Sequence, residues 1–192
     1  MQIEQRFTEN KVFEKIDFTT IDITKKEFDS CSFINCDFSN TNLIDTTFIE
    51  CKFDNCNFSM AKIKNTGLKD VIFKNCKLLG VNFSECNKFL LLVDFVDCYL
   101  NLASFYKLKL KKTKFKNCSL REVDFIETDL SNSIFDNCDL ASAVFENTNL
   151  EKVDFRTSYN YALDPEINRI KRAKFSTSGI IGLLGKYNIE VE

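Results

Sequence analysis

The sequence contains no histidine and no tryptophan, only one proline and only five glycines. Without histidine it lacks the commonest general base and the commonest metal ligand. So little proline and glycine excludes a loop-rich sandwich and a disordered chain. No stretch approaches the roughly 18 apolar residues that a membrane-spanning helix needs. Met1–Asn10 is polar and lacks the apolar run of a signal peptide, so a cytoplasmic location is expected. There is no glycine-rich phosphate loop and no nucleophile–base pair at a recognisable spacing, so neither catalysis nor a cofactor is expected. The net charge of −2 names no partner.

Phenylalanine, by contrast, is abundant, with 20 residues in 192. Stepping by five from Phe13 gives Phe18, Ile23, Phe28, Phe33, Phe38, Leu43, Phe48, Phe53, Phe58, Ile63, Leu68, Phe73, Leu78 and Phe83. The frame then slips by two residues. It resumes as Leu90, Phe95, Leu100, Phe105, Leu110, Phe115, Leu120, Phe125, Leu130, Phe135, Leu140, Phe145, Leu150 and Phe155. A period of five is neither the 3.6 of a helix nor the 2.0 of a strand, so the repeating unit is something else. Two residues before each large centre stands a mostly small one: Cys31, Cys36, Thr41, Thr46, Cys51, Cys56 and onward. Two apart is the same side of an extended segment, so each unit turns one large and one small side chain inward. The other three positions are mostly polar.

Phe and Leu alternate strictly in the second half, so a coil holds an even number of units. Cys98, Cys118 and Cys138 are 20 residues apart, as are Cys36, Cys56 and Cys76. Four five-residue sides therefore close one coil. This predicts about seven coils, a rod on the order of 35 Å long at about 4.8 Å per strand level. All nine cysteines fall in the small inward slot, with no paired short spacing for zinc. They read as reduced core filler.

Units such as "CDFSNTNLIDTTFIECKF" and "VDFIETDLSNSIFDNCDLASAVFENTNL" resemble the pentapeptide-repeat family over about residues 11–158. The resemblance implies an all-β, right-handed quadrilateral β-helix. Residues 84–89 are expected to form an irregular corner between two solenoid stretches, with Phe89, Leu91 and Leu92 as a small exposed patch. Residues 159–174 read as an irregular last coil that loses the core pattern, with a helical turn starting at Asp164-Pro165-Glu166. In the tail, Ser178 caps a short helix over Gly179–Lys186, and Ile189 and Val191 alternate as a strand. This separates a solenoid of residues 1–174 from a cap of 175–192. The excess apolar residues Ile180, Ile181, Leu183, Leu184, Tyr187, Ile189 and Val191 predict a homodimer through the C-terminus.

Charge is segregated. Seven basic residues and no acid lie from Lys107 to Arg121, eleven acids lie from Glu122 to Glu166, and Arg169, Lys171, Arg172 and Lys174 follow. One reading is neighbouring bands in mutual attraction. The other offers Asp124, Asp129, Asp139, Glu146, Glu151 and Asp154 to a basic groove of a partner. The irregular corner, the start near residue 10 and the tail "GIIGLLGKYNIEVE" are similar to the Qnr-type, quinolone-resistance subgroup. That resemblance implies a dimeric DNA mimic that binds DNA gyrase or topoisomerase IV and relieves quinolone poisoning. The alternative is a general interaction scaffold, or self-immunity against a peptide toxin. An ice-binding surface is disfavoured because the threonines lie largely inward. Direct nucleic-acid binding is disfavoured because the basic girdle is narrow and carries few aromatics.

Overall fold

The period of five becomes strands that are mostly three residues long, because each side of the coil must turn after one large inward residue. In the computed structural model, which describes residues 5–190, the strands are β1 (Phe7–Glu9), β2 (Val12–Glu14), β3 (Glu27–Asp29), β4 (Ser32–Ile34), β5 (Thr47–Ile49), β6 (Lys52–Asp54), β7 (Gly67–Lys74), β8 (Leu91–Val96), β9 (Lys114–Lys116) and β10 (Ile134–Asp136). Only β7 and β8, beside the insertion, run longer than three residues. Every pairing is parallel. Phe28 lies opposite Phe48, Phe33 opposite Phe53 and Phe115 opposite Phe135, each a 20-residue step. Isolated parallel bridges such as Asp129 to Asn149 and Asp154 to Lys174 carry the same step to the end. The described residues thus form an all-β parallel solenoid with four sides.

The sides are named here by their inward columns. On the first, Phe13, Phe33, Phe53, Phe73, Phe95, Phe115, Phe135 and Phe155 stack face to face at 4.7–5.5 Å between ring centroids. The third carries Phe83, Phe105, Phe125 and Phe145 at 4.7–5.3 Å. Rings on adjoining sides meet edge to face, as Phe125 does Phe135 at 5.9 Å and 89°. Leu100, Leu120 and Leu140 line the second side and Leu110, Leu130 and Leu150 the fourth, all buried. Side chains therefore fill the axis, and burial of this apolar area is the main source of stability.

The small slot has a second role that its size alone does not disclose. Its hydroxyls and thiols donate to the carbonyl of the large residue 23 positions earlier, one coil below. Thr46 bonds Ile23 at 2.8 Å, Thr128 bonds Phe105 at 2.8 Å and Ser133 bonds Leu110 at 2.7 Å. Cys36, Cys56, Cys76, Cys118 and Cys138 do the same through sulfur, and Cys98 does so 25 positions back, across the insertion. All nine cysteines are buried and free. Burial pushes Cys51 up to about 12 and Cys86 up to about 11, so neither is a thiolate at neutral pH. Thr128→Val keeps the shape and removes one donor. It is expected to lose about 1 kcal/mol in urea unfolding, whereas a merely space-filling slot would show no loss.

Corners fall in the left-handed region every five residues from Lys25 (φ 59°) to Asn75 (φ 53°) and again from Asp97 (φ 55°) to Lys152 (φ 59°). Asparagine tolerates this conformation best among non-glycine residues. On one edge Asn55 donates to Asn35 at 2.6 Å and Asn137 donates to Asn117 at 3.0 Å.

Several expectations change. The solenoid begins earlier, because β1 pairs Thr8 with Phe28 and a polar centre hid the first unit. The two extra residues fall between Asn87 and Val93, in a 3-10 turn at Lys88–Leu90, rather than across 84–89. Leu91, not Leu90, lies opposite Leu68, because Leu90 is drawn outward over Gly67. The last coil is not emptied of its core, since Tyr161 and Leu163 are both buried. The helix expected over Gly179–Lys186 is two 3-10 turns, Gly179–Leu183 and Gly185–Tyr187, because three glycines in seven residues weaken an α-helix. Ile189 is in no strand, and Val191 lies outside the described residues. Asp164-Pro165-Glu166 starts a turn, in which Asp164 accepts the Glu166 N–H at 2.8 Å.

Candidate interaction surface

With the axis filled, only the outer faces and the ends can meet a partner. The six acids singled out from sequence lie on all four sides: Asp154 on the first, Asp139 on the second, Asp124 and Glu146 on the third, Asp129 and Glu151 on the fourth. A flat partner cannot touch them together. Four of them also hold the backbone. Asp124, Asp129, Asp139 and Asp154 each accept the N–H two residues on, at 2.8–3.2 Å. This Asx turn steers the chain into the next corner, and Asn57, Asn82 and Asn149 make it elsewhere. Asp or Asn just before a large centre was the signal, legible in the sequence as a structural requirement.

The charge bands are cross-linked. Lys107 meets Glu127 at 3.3 Å, Lys111 meets Asp129 at 3.2 Å and Arg121 meets Asp139 at 3.7 Å. Arg169 meets Glu151 at 2.9 Å. The Arg156 guanidinium beside Asp154 holds its carboxyl below the usual carboxylate range. Exposed pairs of this kind add at most about 1 kcal/mol each. What they do is neutralise most of the acidic section within the protein's own surface.

The candidate dimer residues gather at the C-terminal end. Ile180, Ile181, Tyr187 and Ile189 are about half exposed. Leu184 is half-buried, and Leu183 packs against the core. The tail is pinned to the last coil by Lys186, which reaches Asp164 at 2.7 Å and Glu166 at 2.6 Å, and by the Tyr187 hydroxyl, which donates to Glu166 at 3.0 Å. Lys186 holds both carboxyls below their ordinary values of 3.8 and 4.5. Groups depressed on folding contribute stability above their unfolded values, and that contribution is lost as pH falls through the folded ones. The tail is thus expected to loosen below about pH 4. Hydrogen exchange over residues 180–190, corrected for intrinsic rates, should be faster at pH 3 than at pH 6. Lys186→Ala should remove that difference.

A parallel solenoid of four five-residue sides with an Asx or Asn device at its corners defines the pentapeptide-repeat class. A family model described as a pentapeptide repeat region matches residues 21–88, 46–125 and 109–162, and the chain belongs to that family. No curated protein matches the chain. Among solved structures it is similar to a trypsin-treated form of QnrB1, a plasmid-mediated fluoroquinolone resistance protein. The identity is 21%, covering 97% of this chain and 100% of that one, with a TM-score of 0.50. A second trypsin-treated form of QnrB1 shares 22% identity over 97% and 90%, with a TM-score of 0.43. HetL, a pentapeptide repeat protein involved in heterocyst differentiation regulation from the cyanobacterium Nostoc, shares 16% over 90% and 89%, with a TM-score of 0.34. Among the described residues, no helix is long and apolar enough to cross a membrane.

Proposed function

We propose that this protein is a non-enzymatic rod that binds a type II topoisomerase, DNA gyrase or topoisomerase IV, and protects it from quinolones. The observation that carries the reading is an end-to-end fold shared with a fluoroquinolone resistance protein, at a TM-score of 0.50. A filled axis supports it, since only outer faces are left to act. In this reading the apolar C-terminal tail, with Ile180, Ile181 and Tyr187, joins two copies into a longer rod. Of the six acids, Glu146 alone has neither an ion pair among the described residues nor an Asx role, so of these it is the one most available to a basic partner. The test is a gyrase supercoiling assay with ciprofloxacin. Restored supercoiling upon addition of the protein is the expected result. If the protein neither inhibits gyrase nor rescues it, the reading fails.

A second reading, a general interaction scaffold such as toxin self-immunity with an unrelated partner, is favoured by one observation. The acids are dispersed over four sides and largely paired, which weakens any likeness to the charge of a DNA duplex. Sedimentation at micromolar concentration tests the dimer separately. A mass near 22 kDa, that of one chain, would exclude a stable pair.

A further inference from the structure

The two-residue insertion places a large apolar side chain where the repeat has none. Phe89 is 92% exposed, and Leu92 beside it is 51% exposed. A free phenylalanine on a mobile loop would be unremarkable, but this one is fixed. The Asn87 side chain accepts the Phe89 N–H at 3.1 Å, and its carbonyl accepts the Leu90 N–H at 3.2 Å. Leu90 lies over Gly67, close enough that a Cβ there would sit 3.2 Å from its Cδ1. Leu91 is anchored opposite Leu68. The knob therefore stands on a braced turn of the fourth side.

Its surroundings are mainly basic. Lys88 is on the same turn, Lys69 is on the level below, and Lys109, Lys111 and Lys112 are on the level above, all exposed. Lys111 is taken by Asp129 at 3.2 Å. Lys69, Lys88, Lys109 and Lys112 are in no ion pair among the described residues. Two acids lie beside it: Asp70 at the corner below, and Asp94, half-buried, two residues past Leu92 and beside Lys114, whose N–H it accepts at 2.8 Å. Buried apolar anchors inside a charged rim are how protein interfaces concentrate affinity and choose partners.

We propose that Phe89 and Leu92, ringed by Lys69, Lys88, Lys109 and Lys112, form a docking knob for an acidic protein segment that offers an apolar cleft. The complementary charge selects that occupant. A bilayer surface needs many shallowly inserted apolar groups, and here there are two. Single-stranded nucleic acid is held by successive aromatic platforms, and here there is one ring. The site does not rest on the topoisomerase reading, and its sign is opposite to that of a DNA-mimicking face.

The test is fluorescence anisotropy of the full chain with a labelled amphipathic peptide of glutamate and leucine. Binding that weakens with added salt is expected. Phe89→Ala and the pair Lys88→Glu/Lys109→Glu should each weaken it about tenfold, which is about 1.4 kcal/mol, while thermal unfolding stays unchanged. Lys25→Glu, far along the rod, should leave binding as it is. No binding to the unaltered protein, or binding that Phe89→Ala does not change, overturns the proposal. Tighter, Phe89-dependent binding to phosphatidylglycerol vesicles or to oligo-dT also overturns it, and assigns the patch to lipid or nucleic acid.

Discussion

Phe125→Asp is expected to abolish the cooperative fold, with the far-UV signal of the solenoid lost at 25 °C before any denaturant is added. Phe125 is fully buried. It stacks on Phe105 at 5.3 Å and Phe145 at 5.2 Å, and meets the edges of Phe115 at 6.1 Å and Phe135 at 5.9 Å. Removing the ring alone costs about 3–5 kcal/mol. A carboxylate in its place has no cation to meet inside the axis, which adds several kcal/mol more or forces it to stay protonated. Whole domains have only about 5–15 kcal/mol to lose. The position matters as well as the size. In a solenoid each coil rests on its neighbours alone, and Phe125 sits mid-column, so no flanking structure can bypass the gap. Phe89→Asp is the matched control: the same substitution on an exposed ring should leave the melt unchanged. A folded Phe125→Asp protein would mean that the five-residue columns do not point inward.

The columns could be read from the sequence because their cause is strictly periodic. A side chain required every fifth position leaves its mark whatever the surrounding composition, and the 20-residue cysteine spacing fixed the coil. What stayed hidden is directional or steric. Thr128 and Cys98 are small, but smallness does not announce that they donate to a carbonyl 23 residues back or 25 back across the insertion. Asp124 and Asp139 are acidic, and charge alone suggested a partner. Their geometry gives them first to the backbone, at 2.8 Å and 3.1 Å. Thr8 broke the hydrophobic count at a place where the ladder continues regardless. The insertion was visible as a lost frame, yet which residue it ejects was decided by the space above Gly67.

Gly182→Ala is the second large effect, and it tests the end of the rod rather than its middle. A Cβ on Gly182 would fall inside van der Waals contact with the carbonyl oxygen of Tyr161 and press on its ring. Backbone cannot yield as a flexible side chain can, and overpacking of this kind costs about 1–3 kcal/mol. The φ of Gly182 is not in the left-handed region, so the penalty is steric rather than conformational. The tail has little to set against it: the Gly182 carbonyl accepts the Leu163 N–H at 3.0 Å, and Lys186 and Tyr187 make exposed bonds to Asp164 and Glu166. Undocking is therefore expected, with loss of hydrogen-exchange protection at Leu163 and exposure of Tyr161, Leu163 and Phe175. If the tail joins two copies, the sedimenting mass should fall at the same time. Gly185→Ala supplies the contrast, since nothing lies within 4 Å of a Cβ there, and it should leave both readouts alone. Retained protection at Leu163 in the Gly182→Ala protein would show that the tail does not seat on Tyr161. Loss of protection with an unchanged dimer would move the contact between copies away from Ile180, Ile181 and Tyr187.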